Sequence, residues 1–306
     1  MKAIIQWFDS QAESPLPGDS KKIDWLRVVP FIALHLACFA VFWVGVSLSA
    51  VLVALLLYLL RMFAITAFYH RFFSHKAFKT SRIVQFIFAL IGASATQRGP
   101  IWWAAHHRQH HRHADQPEDP HSPNEGLFWS HMGWFLADQH FTADTTLVPD
   151  LMRYPELRWL DRFDIVVPVL LAAGLFVFGA VLGKYFPATQ TSGAQMLVWG
   201  YFISTVLMLH ATLAINSLAH RFGKKRYQTR DDSRNNFWLA LLTLGEGWHN
   251  NHHHYPASAR QGFYWWEVDF SFYLLKLMEK TGLIWDVKTI PESRREQRKI
   301  SQRAMP

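Results

Sequence analysis

The chain has 306 residues, 50% of them hydrophobic and 15% aromatic, with a formal net charge of +8. That length allows one large domain or two ordinary ones. The positive charge is spread over loops and the C-terminal tail, which excludes a nucleic-acid-binding face and suits a protein beside an anionic lipid leaflet. The only cysteine, Cys38, excludes an intrachain disulfide and fits a catalytic portion in a reducing compartment.

Met1 to Ser20 carries Asp9, Glu13 and Asp19 and has no continuous apolar core, so it reads as a solvated lead-in rather than a cleavable signal. From Val28 to Leu60 there is no Asp, Glu, Lys or Arg. That run is too long for one span of about 20 residues, and Gly45 to Ser49 is its natural break. The expectation is two helices, 28–46 and 50–69, joined by a very short turn. Further apolar stretches predict spans at 163–183 and 195–217. Two shorter ones, Ile83 to Ala95 and Phe237 to Leu244, read as helices buried in a cap or lying at the interface. The basic stretch from Arg294 to Arg303 is expected to fray.

Of the 31 Lys and Arg residues, only Lys184 lies in the two short loops joining spans one to two and three to four. The positive-inside rule therefore places both termini and the 70–162 and 218–285 segments in the cytosol. The fold class that follows is an all-α integral membrane protein: four transmembrane helices under a cytosolic helical cap. Residues 1–27 lead in, 28–285 form the main domain, and 286–306 are a basic tail.

Seventeen histidines are the compositional outlier; a chain this long ordinarily carries about 6–8. They gather as His70-Arg71-Phe72-Phe73-Ser74-His75, as His106-His107-Arg108-Gln109-His110-His111, and as His249-Asn250-Asn251-His252-His253-His254, with a sparser Asn216-Ser217-Leu218-Ala219-His220. On a helix, i, i+3 and i+4 share a face, which groups His107 with His110 and His111, and His249 with His252 and His253. His70 and His75 are i, i+5, about 140° apart on a regular α-helix, so that pair needs a helix end or a fold around a metal. Imidazole suits iron, zinc, copper and nickel. A single zinc takes about four ligands, so this many histidines fit two open metal sites. Asp115, Asp119, Glu246 and Asp269 are the expected partners of the ligands' outer nitrogens. His35, His113, His121, His131, His140 and His210 read as structural or surface residues. His106 and His254 extend their boxes without an assigned role.

The three boxes resemble the HxxxxH, HxxHH and HxxHH of the membrane fatty acyl desaturases, in particular the acyl-CoA Δ9 branch. Longer strings carry the same resemblance: Asn216-Ser217-Leu218-Ala219-His220 is similar to NSxxH, Gly245-Glu246-Gly247-Trp248-His249-Asn250-Asn251-His252-His253 to GEGxHNxHH, and Asp119-Pro120-His121 with Ser130-His131-Met132-Gly133-Trp134 to DPH and SHxGW. It extends over roughly 50–285. The resemblance implies two iron ions held by His70, His75, His107, His110, His111, His220, His249, His252 and His253, with Asn216 bound through water, and a bent hydrophobic tunnel for an acyl chain. It implies O2 and two electrons as co-reactants and a cis double bond as product. Family members acting on acyl-CoA often have Asp before the second box, where this chain has His106, so acyl-CoA and acyl-lipid carriers both stay open. No haem-binding HPGG stretch is present, so the expected electron donor is a separate protein such as cytochrome b5 or ferredoxin.

The chemistry fits that implication. An unactivated CH2–CH2 bond offers no acidic or polar handle, so acid–base side chains alone cannot break it. A hydroxylase or alkane oxygenase would use the same histidines and insert oxygen instead. A metal transporter would hold its ligands near the midplane of its spans, where only His35 and His210 fall.

Overall fold

The computed structural model describes residues 2–12 and 21–300. It is mostly helical, with one two-stranded antiparallel sheet among the described residues, pairing Lys79–Thr80 with Ile284–Trp285. Among the described residues three helices are long and apolar enough to cross a membrane: Leu48–Ser74, Val166–Tyr185 and Gly193–Ser217.

The expected first span at 28–46 is helical over Val28–Val44 but changes geometry partway along. Helix α1 (Trp25–Ala37, with Pro30 inside it) passes into a 3-10 turn at Cys38–Ala40 and then a single turn, Val41–Val44. The apolar part, Val28–Val44, is shorter than the ~20 residues of a straight span. Gly45 then adopts φ +68°, a left-handed conformation that ends the helix. Ser47 caps the next one by accepting from the Ala50 amide at 3.3 Å.

That next helix, α2, runs from Leu48 to Phe63 and continues as a π-helix over Ala64–Ser74, five residues past the expected end at 69. Helix α3 (Arg82–Ala93) starts at a Ser81 cap, and α4 (Pro100–His113) starts with Pro at its first position. Helices α5 (Val166–Tyr185) and α6 (Gly193–Ser217, π-helical over Val198–Ile203) match the expected spans 163–183 and 195–217 within a few residues. They pack closely because glycines line the contact. A Cβ at Gly179 would stand 2.5 Å from the Met196 Cβ, and one at Gly193 would stand 2.6 Å from the Phe176 carbonyl oxygen.

Shorter helices make up the rest of the chain. Among them are α7 (Phe237–Leu242), α8 (His249–His254) and α9 (Phe270–Lys280). The main core gathers the π-helical end of α2 (Phe68, Tyr69, Phe73) against α3, α4 and the strand-flanking residues Ala77 and Phe78.

Both chain ends are more engaged than the sequence suggests. Asp9 pairs with Arg162 at 2.7 Å and the Ser10 amide donates to the Arg162 carbonyl, so this lead-in segment is held against the body. The tail forms a turn of helix, Glu292–Arg295, and its backbone pairs with 226–228 through Ile300 to Arg226 and Gln228 to Arg298. The rest of the basic stretch, 301–303, and part of the lead-in, 13–20, lie outside the described residues.

Candidate metal centre

The local backbone explains how His70 and His75 meet. In the π-helical stretch the chain bonds i to i+5, and the His75 amide donates to the His70 carbonyl at 3.2 Å. The wider turn rotates residues five apart onto one face, and the two rings lie 4.9 Å apart. The other two boxes are ordinary helix faces: α4 presents His107, His110 and His111, and α8 presents His249, His252 and His253.

These elements converge on two nitrogen clusters. His70, His75, His107, His111 and His252 form one; His110, His220, His249 and His253 form the other; within each, one ring nitrogen per residue lies within 4.8 Å of every other. The nitrogens of several pairs face each other directly: His75 and His107 at 2.8 Å, His70 and His252 at 3.0 Å, His220 and His249 at 3.0 Å. All nine histidines of the expected set fall in these two clusters, and neither HxxHH box serves one cluster alone. His110 and His111 point to different clusters, as do His252 and His253.

Carboxylates hold the outer nitrogens. Asp119 is 3.0 Å from Nδ1 of His110, Asp115 3.0 Å from Nδ1 of His220, Asp231 2.9 Å from Nδ1 of His253, and Glu246 touches Nδ1 of His70. Orienting an imidazole from its far nitrogen fixes the tautomer that turns Nε2 inward to a metal. Asp269 does not act this way. It reaches no histidine; both its oxygens take Nη1 of the buried Arg71, at 3.0 and 3.1 Å, and Arg71 also grips Glu246. Asp231 is the partner that sequence reasoning missed, because it lies in a polar loop far from every box.

Burial and crowding tune the rings. Burial first, and then the neighbouring histidines, hold His75, His107, His111, His249 and His252 well below the ordinary histidine range, so they are neutral at pH 7. In His110, burial opposes the charged form, but the Asp119 carboxylate outweighs it and the ring titrates higher than usual. Nine imidazoles in two clusters, four of them backed by carboxylates, are a donor set that fits two transition-metal ions.

A cavity of about 560 Å³ runs beside this centre. Phe31, Leu34, Phe135, Tyr201 and Leu209 give it apolar walls, and His107 and Asn216 bring it to the clusters. Asn216 also borders a smaller space shared with His107, His110 and His249, within reach of both groups. The cavity wall has a polar sector as well, where Arg98 lies 3.3 Å from Asp164.

The other histidines sort by contact. His106 bonds the Trp102 carbonyl at 2.9 Å and faces the cavity, and burial pushes its ring down to about 3. His254 stacks on Tyr227 at 4.0 Å and bonds the Arg294 carbonyl, a tail contact rather than a metal contact. His121, read from sequence as structural or surface, is buried 4.3 Å from the His110 ring and lines the cavity. His140 also lines it. His35, His210 and His131 form a string, with ring nitrogens 3.0 and 2.9 Å apart, that ends on Ser217. They join neither cluster.

Helices long and apolar enough to cross a membrane, with clustered histidines capable of holding metal beside an apolar cavity, fit the class of membrane metal-dependent enzymes. The comparisons narrow the class: the fatty acid desaturase family model matches residues 46–285, and the chain belongs to that family, whose members are oxidoreductases. It is 36% identical to an acyl-CoA 5-desaturase of Anemone leveillei, over 92% of this chain and 87% of that one. It is 35% identical to an sn-2 palmitoyl-lipid 9-desaturase of a Nostoc strain, over 92% and 95% of the two chains. It is 36% identical to delta-9 acyl-lipid desaturase 1 of Arabidopsis thaliana, over 90% and 87%.

Proposed function

We propose that this protein is an O2-dependent desaturase that introduces a cis double bond at the Δ9 position of a saturated acyl chain carried as acyl-CoA. The observation that carries the reading is the split of nine histidines into clusters of five and four, at the side of a long apolar cavity. The two clusters would hold two iron ions, with Asn216 beside them as the expected ligand through water, and the ions would supply the dioxygen chemistry needed to remove two hydrogens from adjacent unactivated carbons.

The chain's own residues do the rest. The cavity wall takes the acyl chain out of water, each buried CH2 contributing about 0.8 kcal/mol. Trp103, stacked on His107 at 5.0 Å, and the neighbouring wall fix which carbons lie beside the clusters. A small shift along the cavity changes which carbon reacts, so this positioning governs the product. The carboxylates hold four of the imidazoles, those of His70, His110, His220 and His253, in their tautomers, and the buried setting keeps bulk water away from the reacting carbons.

The membrane reading completes the proposal. The stretch around α1 crosses the bilayer together with the three long helices, and the cap, both termini and the metal centre face the cytosol. Electrons arrive from a separate donor protein, cytochrome b5 or a ferredoxin.

Expression in a host lacking Δ9 desaturation, followed by fatty-acid profiling with bond location, tests the reaction. Δ9-unsaturated product supports it. A product heavier by one oxygen shows a hydroxylase, and a double bond elsewhere overturns the regiochemistry. Purified enzyme given labelled acyl-CoA or labelled acyl-lipid in parallel decides the carrier.

A further inference from the structure

The cap carries a band of large apolar side chains that face outward. On α9, Phe270, Tyr273, Leu274 and Leu277 are 43%, 44%, 42% and 57% exposed. They are spaced i, i+3, i+4 and i+7, a single face at about 100° per residue. Ser271, Leu275 and Met278 form a second face, buried against the protein, and Lys276, Glu279 and Lys280 fall on a third. On α7, Trp238 and Leu242 are 73% and 53% exposed. A helix in water gains nothing from a face like that of α9.

Helix α2 measures how deep these helices sit. It begins at Leu48, just after the far-side turn, where Ser47 bonds Thr191 in the other far-side connection at 2.9 Å. Tyr58 on α2 donates to the Leu242 carbonyl at the end of α7, at 2.8 Å, and Thr66 shares a 2.7 Å hydrogen bond with Ser271 at the start of α9. At 1.5 Å per residue, Tyr58 stands about 15 Å and Thr66 about 27 Å beyond Leu48. The hydrocarbon core is about 30 Å thick. Both attachments therefore lie within its thickness, and any tilt of α2 brings them deeper.

We infer that α7 and α9 are immersed in the leaflet on the metal side, with lipid hydrocarbon covering Trp238, Leu242 and the Phe270–Leu277 face. The partner of this surface is the bilayer that the spans already occupy, not solvent and not a second protein. The three faces of α9 have three neighbours: acyl tails, the protein core, and headgroups or water at Lys276 and Glu279. The same ruler places His70 about 33 Å from Leu48, so the metal centre lies level with the edge of the hydrocarbon core. The inference rests on the spans crossing a bilayer and is independent of which acyl chain reacts.

Nitroxide labelling in lipid nanodiscs tests it. In a Cys38→Ser background, labels are placed through Leu274→Cys, Trp238→Cys and, on the polar face, Glu279→Cys. Collision with dissolved O2 should exceed collision with water-soluble chromium oxalate several-fold at 274 and 238, with the order reversed at 279. Equal access of chromium oxalate to 274 and 279 would overturn the inference, and so would spin–spin broadening at 274 from a second copy. Hydroxyl-radical footprinting of the unaltered protein in bilayers reads the same surface without substitutions. Protection of Trp238 and Leu277 supports immersion, and oxidation at the rate of water-exposed residues refutes it. Product profiling stays a separate readout, so loss of this inference leaves the desaturase reading standing.

Discussion

Asp269 offers the sharpest test of how the metal centre is braced. Its carboxylate is fully buried against Arg71, whose side chain is 1% exposed. It also accepts from the amides of Gln261 at 2.7 Å, Gly262 at 3.3 Å and Phe272 at 3.0 Å. Asp269→Asn keeps the shape but removes the charge and turns one acceptor oxygen into a donor that faces other donors. Breaking a buried ion pair from one side costs about 3–5 kcal/mol, because the remaining charge is left under-compensated. For a chain somewhat larger than 150–250 residues, at ~2–4 °C per kcal/mol, that is a fall in Tm of about 10 °C. Arg71 also holds Glu246, which orients His70, so bound metal should fall along with stability. Thermal unfolding in detergent and metal analysis of the same preparations read both effects. The comparison variant is Glu279→Gln, which removes a largely exposed pair with Lys276 and should change stability by less than ~1 kcal/mol. An Asp269→Asn protein with unchanged Tm and full metal content would refute the argument that Arg71 depends on this carboxylate.

Three further outcomes are expected. His110→Ala should abolish desaturation and lower bound iron; full activity with intact iron would remove His110 from the metal centre. His210→Ala should leave metal content unchanged, since its string with His35 and His131 joins neither cluster, and loss of one metal equivalent would refute that. Metal binding at pH 7 should release few protons. Burial lowers the pKa of His75, His107, His111, His249 and His252, so these rings are already deprotonated, while His110 is the ring raised by its carboxylate. Calorimetry in buffers of different ionisation enthalpy measures the release, and a large buffer dependence would contradict it.

Local sequence patterning settled the elements of the site. The HxxHH spacing fixes which histidines share a helix face, because an α-helix repeats every 3.6 residues, and long charge-free runs announce α2, α5 and α6. The i, i+5 spacing of His70 and His75 signalled that an ordinary helix would not serve, and a π-helix was the answer. What sequence could not settle depends on contacts between distant segments. The division of the boxes into clusters of five and four arises because α4 and α8 each lie across both clusters, so adjacent histidines turn to different clusters. Asp231 meets His253 only through the fold, Asp269 braces Arg71 instead of a histidine, and the first apolar helix tightens to a 3-10 turn at Cys38–Ala40 within a run that is uniformly apolar in sequence. Hydrophobic and helical periodicity are properties of neighbouring residues, so the sequence by itself determined the long apolar helices and the donor set. Partner choice among buried charges is a property of packing, so only the tertiary structure decided which carboxylate holds which imidazole.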